Sequence, residues 1–234
     1  MNQMRNMTLK NEHKSIILLS GGLDCVVSLA LVKKELNVTL ALTFDYGQKS
    51  ASKEILAAQE ICKYYGIEHQ VITLDWLKNI TKTALVSDEE VPCGVALKDE
   101  ENSAKSVWVP NRNGLFLNIA ASFADAQNFS HIIIGANKEE AQTFPDNTKE
   151  FIESANKEFQ YSTRVHPEVI APLINCDKFE IVKMGLTNNI PFELLNSCYN
   201  NSEKHCGVCE SCVRLKRALA LNNAQEYINK LFEE

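Results

Sequence analysis

Four of the eight cysteines crowd into fifteen residues, as Cys198, Cys206, Cys209 and Cys212. Two consecutive C-x2-C steps bring three sulfurs round one centre, and the stretch from Tyr199 to His205 returns the fourth. Four thiolates in a small loop suit tetrahedral Zn2+ with no open position, hence a structural metal; a four-thiolate iron–sulfur cluster is the competing assignment. His205 offers a substitute ligand, its plainer reading being a surface histidine. Cys25, Cys62, Cys93 and Cys176 are scattered singly. Clustering of this kind reads as metal binding, not as a disulfide framework.

A second group lies near the start. Ser20-Gly21-Gly22-Leu23-Asp24-Cys25 follows the apolar run Ser15 to Leu19 and opens a helical pattern. Glycines let backbone approach an anion without a Cβ, successive amides point outward, and a helix N-terminus adds partial positive charge. Ser20 adds a hydroxyl donor. No Gly-Lys-Ser/Thr follows and no Gly-x-Gly-x-x-Gly is present, so this is neither a Walker loop nor a dinucleotide fingerprint. Asp24 would repel phosphate unless it helps to hold a divalent cation. A helix N-cap on a Gly-Gly turn is the plainer alternative.

Such residues need elements to position them. Ser15–Leu19, Val38–Phe44, Val71–Leu74 and Ile132–Ile134 read as strands. Asp24–Leu36, Ser50–Tyr65 with its stop at Gly66, and a face of Phe116, Ile119, Ala120, Phe123 and Gln127 read as helices. Strand alternating with helix predicts an α/β fold with a doubly wound, mostly parallel sheet. We expect an α/β domain over 1–190 and a small C-terminal metal-binding subdomain over 191–234. Residues 87–106, rich in Asp and Glu, read as a solvated insertion, with a lid as the alternative. The helical stretch Val213–Ala218 carries Arg214, Lys216 and Arg217, which could steady an anionic ligand; at least two of the three read as a solvated face. The apolar end Ile228, Leu231 and Phe232 is either core or contact.

Composition narrows the classes. At 45% hydrophobic and 23% charged, with nine Gly and six Pro in 234 residues, the chain has material for a core and is neither collagen-like nor disordered. Lys plus Arg is 24 against 30 for Asp plus Glu, a net charge of −6 with only five Arg, so no broad nucleic-acid or membrane surface is expected. Apolar runs are too short for a signal peptide or a spanning helix. A soluble, cytoplasmic protein acting on small molecules is the expectation.

The hexapeptide Ser20 to Cys25 resembles the Ser-Gly-Gly-x-Asp-Ser pyrophosphate loop of the N-type ATP pyrophosphatases, with Cys25 where Ser is usual. That resemblance implies a Rossmann-like fold of the adenine nucleotide alpha hydrolase type. Phe44-Asp45-Tyr46-Gly47-Gln48, Val109-Pro110-Asn111-Arg112-Asn113, Ser197-Cys198-Tyr199 and the cysteine run through Glu210, Ser211 and Cys212 extend it. From Ile16 to about Ala220 the chain resembles the 7-cyano-7-deazaguanine synthases of tRNA modification. Gln142-Thr143-Phe144-Pro145-Asp146-Asn147-Thr148, after Gly135-x-Asn137-Lys138-Glu139-Glu140, departs from the bacterial Ser-Gly-Tyr-Pro-Asp-Cys-Arg and looks like the archaeal branch, whose product goes to archaeosine instead of queuosine.

The resemblance implies an ATP-dependent ligase joining 7-carboxy-7-deazaguanine and ammonia into the nitrile, with Mg2+ accompanying ATP and Zn2+ in a structural role. By the same resemblance Leu19, Ser20, Gly21, Gly22, Leu23, Asp24, Cys25, Val26 and Ser28 hold the nucleotide. Asp45, Tyr46 and Gln48 face adenine or the base, and Asp24 and Arg112 are catalytic. Arg112, Asn113, Phe144 and Asp146 contact the substrate. The plainer readings are a surface ion pair for Arg112, a core position for Phe144, and for Asp146 the N-cap of a helix beginning near Thr148. The family tends to form homodimers and implies no direct nucleic-acid partner. Rival readings are a tRNA thiolase sharing the loop, or a scaffold in which Cys25 marks a decayed site.

Overall fold

The computed structural model describes residues 13–94 and 100–233. In chain order its elements are β1 (Lys14–Leu18), α1 (Leu23–Val32), β2 (Asn37–Asp45), α2 (Ala51–Tyr65), β3 (Glu68–Thr73), α3 (Asp75–Ile80), α4 (Glu100–Val107), α5 (Arg112–Gln127) and β4 (Phe129–Ile133). There follow α6 (Lys138–Ala141), α7 (Lys149–Ser162), β5 (Glu168–Ile170), α8 (Lys178–Thr187), α9 (Glu210–Leu221) and α10 (Gln225–Leu231). The strands form one sheet in the order β3-β2-β1-β4-β5, and each neighbouring pair is parallel.

The central strand explains the two cores. Successive side chains of a strand point to opposite faces, so an unbroken apolar run is buried on both sides. Ile17 of β1 joins Ala41 and Ile133 on one face, under Ile61 of α2, Val27 of α1 and Ile181 of α8. Ile16 and Leu18 join Leu40, Leu42 and Ile132 on the other, under Leu117 of α5 and Phe159 of α7. Chain order reverses between β1 and β4, with β2 leaving on one side and β4 returning on the other. In an open parallel sheet that switch point leaves a crevice at the carboxyl ends of the strands, where ligands bind.

The differences from the sequence expectation are local. β3 begins at Glu68, three residues before Val71, because the polar Glu68, His69 and Gln70 occupy a half-covered strand at the sheet edge. β5 was not expected; it is three residues long, follows Pro167, and lies at the opposite edge. α1 ends at Val32 instead of Leu36, the residues after it forming turns onto Val32. Ile228, Leu231 and Phe232 are buried and pack with Leu215 and Leu219 in the same core as α1 and α8, so this end is core within the chain. The described part of 87–106 is not simply solvated: Val91 is buried, and Cys93 pairs with Cys209 in an isolated antiparallel bridge. Among the described residues no helix is long and apolar enough to cross a membrane.

Two glycines set how closely the layers meet at the crevice. Gly21 has φ +80°, and a Cβ there would lie 2.6 Å from the Cβ of Ala57 in α2. Just beyond β4, a Cβ on Gly135 would lie 2.8 Å from the backbone N of Cys25. The start of α1 is thus pressed against the end of β4 through a gap only glycine fits. Gly135→Ala is expected to destabilise by about 1–3 kcal/mol through overpacking, and to weaken nucleotide binding because backbone, not a flexible side chain, must shift. Thermal melting with ATP titration checks this; an unchanged melting temperature would show that the gap is not limiting.

Candidate active site

The loop after β1 opens directly into the crevice. Gly22 is the N-cap of α1 and brings no side-chain cap, so the first-turn amides other than that of Leu23 keep the anion-binding character of a helix N-terminus. The chain's tail holds this loop from the far side. The Asn196 N–H donates to Gly21 O at 2.9 Å, and the Leu23 N–H donates to Ser197 Oγ at 3.4 Å. Within the loop the Gly22 N–H donates to Ser20 Oγ at 3.4 Å. The Cys25 thiol donates to Gly22 O at 3.1 Å and lies 3.6 Å from Ser20 Oγ. Burial raises its pKa, which works against thiolate formation at this position.

A cavity of about 240 Å³ lies over the loop. Leu19, Ser20, Gly22, Leu23, Asp24, Cys25, Tyr46, Gln48, Arg112 and Asn113 line it. Gly21 stands behind it, and Val26 and Ser28 are buried in α1, away from its wall. Asp45 also lies off the wall, its carboxylate accepting the Gly47 N–H at 3.0 Å. Gln48 holds the turn: it accepts the Tyr46 N–H and donates to Phe44 O and Glu54 Oε2, all within 3.1 Å. Phe44 and Phe116 stack at 3.9 Å with 5° between planes, with Tyr46 tilted beside them. One flank of the cavity is therefore a flat aromatic surface.

A smaller cavity of about 50 Å³ adjoins the first, and Leu85, Arg112, Glu140, Lys178, Tyr199 and Ser211 line both. Trp108 and Phe144 face one another there, near-parallel at 6.0 Å. Asp146 lines the same lobe, and its main-chain oxygen accepts from Asn113 Nδ2 at 3.1 Å. Burial raises the Asp146 pKa against the pull of Arg112. The N-cap of α7 is Thr148, which accepts the Phe151 N–H, so Asp146 does not have that role. Arg112 is no surface ion pair: it lies where the lobes meet, 3.5 Å from the Tyr46 hydroxyl. Burial works against its charge, but Tyr46 and Asp146 hold its pKa above the ordinary value.

The main residue missed in the sequence is Lys178. Its Nζ donates to Asp24 Oδ2 at 2.5 Å and to Glu140 Oε1 at 2.9 Å. Burial disfavours the ammonium, yet the two carboxylates keep its pKa above the usual lysine value. Asp24 is pushed up to about 6 by burial, against Lys178 and with help from Glu140. A signal was present: Asp177 and Glu180 form the capping box of α8, which puts Lys178 at the first helical position, where a cation opposes the helix dipole. Lysine there needs a partner anion. Asp24 Oδ1 is buried without a hydrogen-bond partner, and a single free carboxylate oxygen beside a phosphate-binding loop fits the ligand that Mg2+ takes from protein while keeping phosphate oxygens and waters.

The basic edge of α9 is solvated at two of its three charges, Lys216 and Arg217 being exposed, while Arg214 is half-buried. Arg214 pairs with Glu210 at 2.5 Å, and Arg217 pairs with Glu139 at 2.7 Å. Lys216 Nζ sits 5.5 Å above the Phe232 ring. The four cysteines come together with all Sγ atoms within 4.8 Å of one another, Cys206 and Cys212 at 3.9 Å. A tetrahedral Zn2+ with Zn–S near 2.3 Å sets sulfurs about 3.8 Å apart, so the spacing fits. His205 is a buried residue, not a surface one, at 4% exposure. Its Nε2 accepts the Ser197 N–H at 3.0 Å, which removes it from the ligand set.

An open parallel sheet with a glycine loop and a two-lobed crevice at its switch point places the chain among α/β proteins, here with a four-cysteine centre. The family model described as "Queuosine biosynthesis protein QueC" matches residues 14–223. The 7-cyano-7-deazaguanine synthase of Carboxydothermus hydrogenoformans is 49% identical over 209 residues, 88% of this chain and 97% of that one. That of Methanosarcina barkeri is 47% identical over 220 residues, covering 90% and 94%. The chain belongs to the 7-cyano-7-deazaguanine synthase family. Among solved structures, that of an NMN synthetase from Francisella tularensis is similar at a TM-score of 0.48 and 17% identity, over 98% of this chain and 92% of that one.

The geometry separates two neighbours in sequence. Cys212→Ser is expected to lose the bound metal, whereas His205→Ala keeps it and loses about 1 kcal/mol with its hydrogen bond to Ser197. Elemental analysis and melting of both variants check this; loss of metal from His205→Ala would return the histidine to the ligand set.

Proposed function

We propose that the chain uses ATP to convert 7-carboxy-7-deazaguanine and ammonia into 7-cyano-7-deazaguanine. The two-lobed cavity, with Arg112 where the lobes join, is the observation that carries this reading. A carboxylate resists amines because its leaving group would be oxide. Attack of a carboxylate oxygen on the α-phosphorus of ATP expels pyrophosphate and leaves an acyl adenylate. Ammonia adds to the acyl carbon, AMP departs, and loss of a proton gives the amide. The amide oxygen then attacks a second ATP. Departure of AMP with the nitrogen's remaining protons leaves the nitrile, so the loop works twice on one substrate.

The residues divide this work by position. Ser20 and the amides around Gly21, Gly22 and Cys25 grip pyrophosphate, with Leu19 and Leu23 beside them. Asp24 Oδ1 is the oxygen that would hold Mg2+, which supplies charge neutralisation on the phosphates. The flank of Phe44, Tyr46 and Phe116 accepts the flat adenine. In the smaller lobe Phe144 and Trp108 present ring faces to the bicyclic base, with Asp146 and Asn113 on its polar edge. Arg112 then meets the substrate carboxylate or the α-phosphate in bidentate fashion. The four cysteines hold structural Zn2+: four sulfur ligands leave no position for chemistry.

Mass spectrometry of the products tests this directly. Protein incubated with the acid, ammonium, Mg2+ and ATP is expected to yield nitrile and AMP, and no AMP without the acid. An unchanged acid overturns the substrate assignment. Asp24→Ala is expected to lower adenylylation by about 100- to 1,000-fold with the fold intact. Arg112→Lys keeps the charge but not the planar fork, and is expected to cost on the order of 10–100-fold in kcat/KM. Equal rates in either variant would remove that residue from its role.

A further inference from the structure

A divalent cation on Asp24 Oδ1 would stand beside the Lys178 ammonium held by Oδ2 of the same carboxylate, and two positive charges that close repel. One oxygen of Asp24 is bound to Lys178 Nζ at 2.5 Å and the other has no hydrogen-bond partner. Among the described residues Lys178 is the only lysine lining either lobe, and its side chain is 9% exposed. Its second carboxylate, Glu140, stands 2.9 Å away. Glu140 is fixed independently, because its N–H donates to Asn137 Oδ1 at 3.0 Å at the start of α6. The two carboxylates and one ammonium leave one negative charge beside a loop built for an anion.

Resting on the ATP reading above, we infer that Lys178 is a resident counter-ion that Asp24 exchanges for the divalent cation arriving with the nucleotide. Glu140 retains the ammonium and turns it toward the reacting phosphate. The exchange solves two problems. In the empty enzyme it neutralises a buried carboxylate that would otherwise stand unpaired. In the loaded enzyme it frees ammonium donors at the join of the lobes, where non-bridging oxygens of the α-phosphate accumulate charge during transfer. Lys178 would then touch the reacting group, and Glu140 is the positioning residue that keeps it there.

The exchange predicts an effect opposite in sign to that of a structural role. Mn2+ binding to the metal-loaded full chain, without nucleotide, is read by electron paramagnetic resonance. Lys178→Gln and Lys178→Met are expected to bind Mn2+ at least about tenfold more tightly than the unaltered protein, since a competing positive charge has gone. Adding Asp24→Asn should abolish the gain. Both lysine variants should also adenylylate the acid more slowly. Mn2+ binding no tighter than in the unaltered protein overturns the exchange. A crystal structure of the unaltered protein with Mg2+ and a non-hydrolysable ATP tests the same point without a mutation. The expected result is Asp24 on the metal and Lys178 on Glu140 and a phosphate oxygen. An intact Lys178–Asp24 pair in that complex refutes the exchange alone, whereas absence of nucleotide from the loop refutes the ATP reading beneath it.

Discussion

The grip of the chain's tail on the glycine loop is the contact on which the rest of the site depends. The Asn196 N–H donates to Gly21 O, a contact that takes up a loop carbonyl and none of the loop's donors. Ser197 reaches the start of α1, and its own N–H is anchored on His205. His205 in turn is tied by backbone to Leu231 and Glu233. Cys198 follows Ser197 directly, and the other three sulfurs converge on it. The metal centre therefore sits one residue beyond the contact that shapes the loop. A closed four-sulfur site suits that position, because it crosslinks the tail without competing for substrate.

Charge is arranged with the same economy across α6. Glu139 and Glu140 are adjacent, yet they serve opposite sides. Glu139 takes Arg217 and the Lys178 N–H, fixing α9 and α8. Glu140 takes the Lys178 ammonium at the join of the lobes. One short helix thereby links the cysteine-bearing tail, the lysine and, through it, Asp24. Buried ion pairs contribute little net stability because desolvation cancels much of their attraction. Their retention at a crevice in a chain with an ample apolar core is better explained by what they bind.

The parts legible in the sequence were those whose chemistry is local. Ser20 to Cys25 carries its anion-binding character in six consecutive residues, and the cysteine tail in fifteen. The central strands were legible because burial on both faces leaves an unbroken apolar run. β5 and the start of β3 were not, since edge strands tolerate polar residues and Glu168-Val169-Ile170 is too short to show a period. Lys178 and Asp24 are 154 residues apart, and only the return of the chain after β5 brings them together. His205 looked like a surface residue or a ligand because polarity in sequence does not report burial; its partner is a backbone amide that no pattern marks.

Cys25 stands where the pyrophosphate loop that the hexapeptide resembles has serine, and its surroundings are those of a buried side chain. The thiol donates back along the first turn to Gly22 O, and burial raises its pKa. Anion binding at a helix N-terminus is mostly a property of the amides and the dipole, neither of which depends on this side chain. The donor lost is a weak increment next to Ser20, Lys178 and Arg112. The tight fit here falls on Gly135, whose added Cβ would meet the backbone of Asp24 and Cys25 and not the thiol, so the packing at this point is set by main chain and leaves the side chain at position 25 out of it.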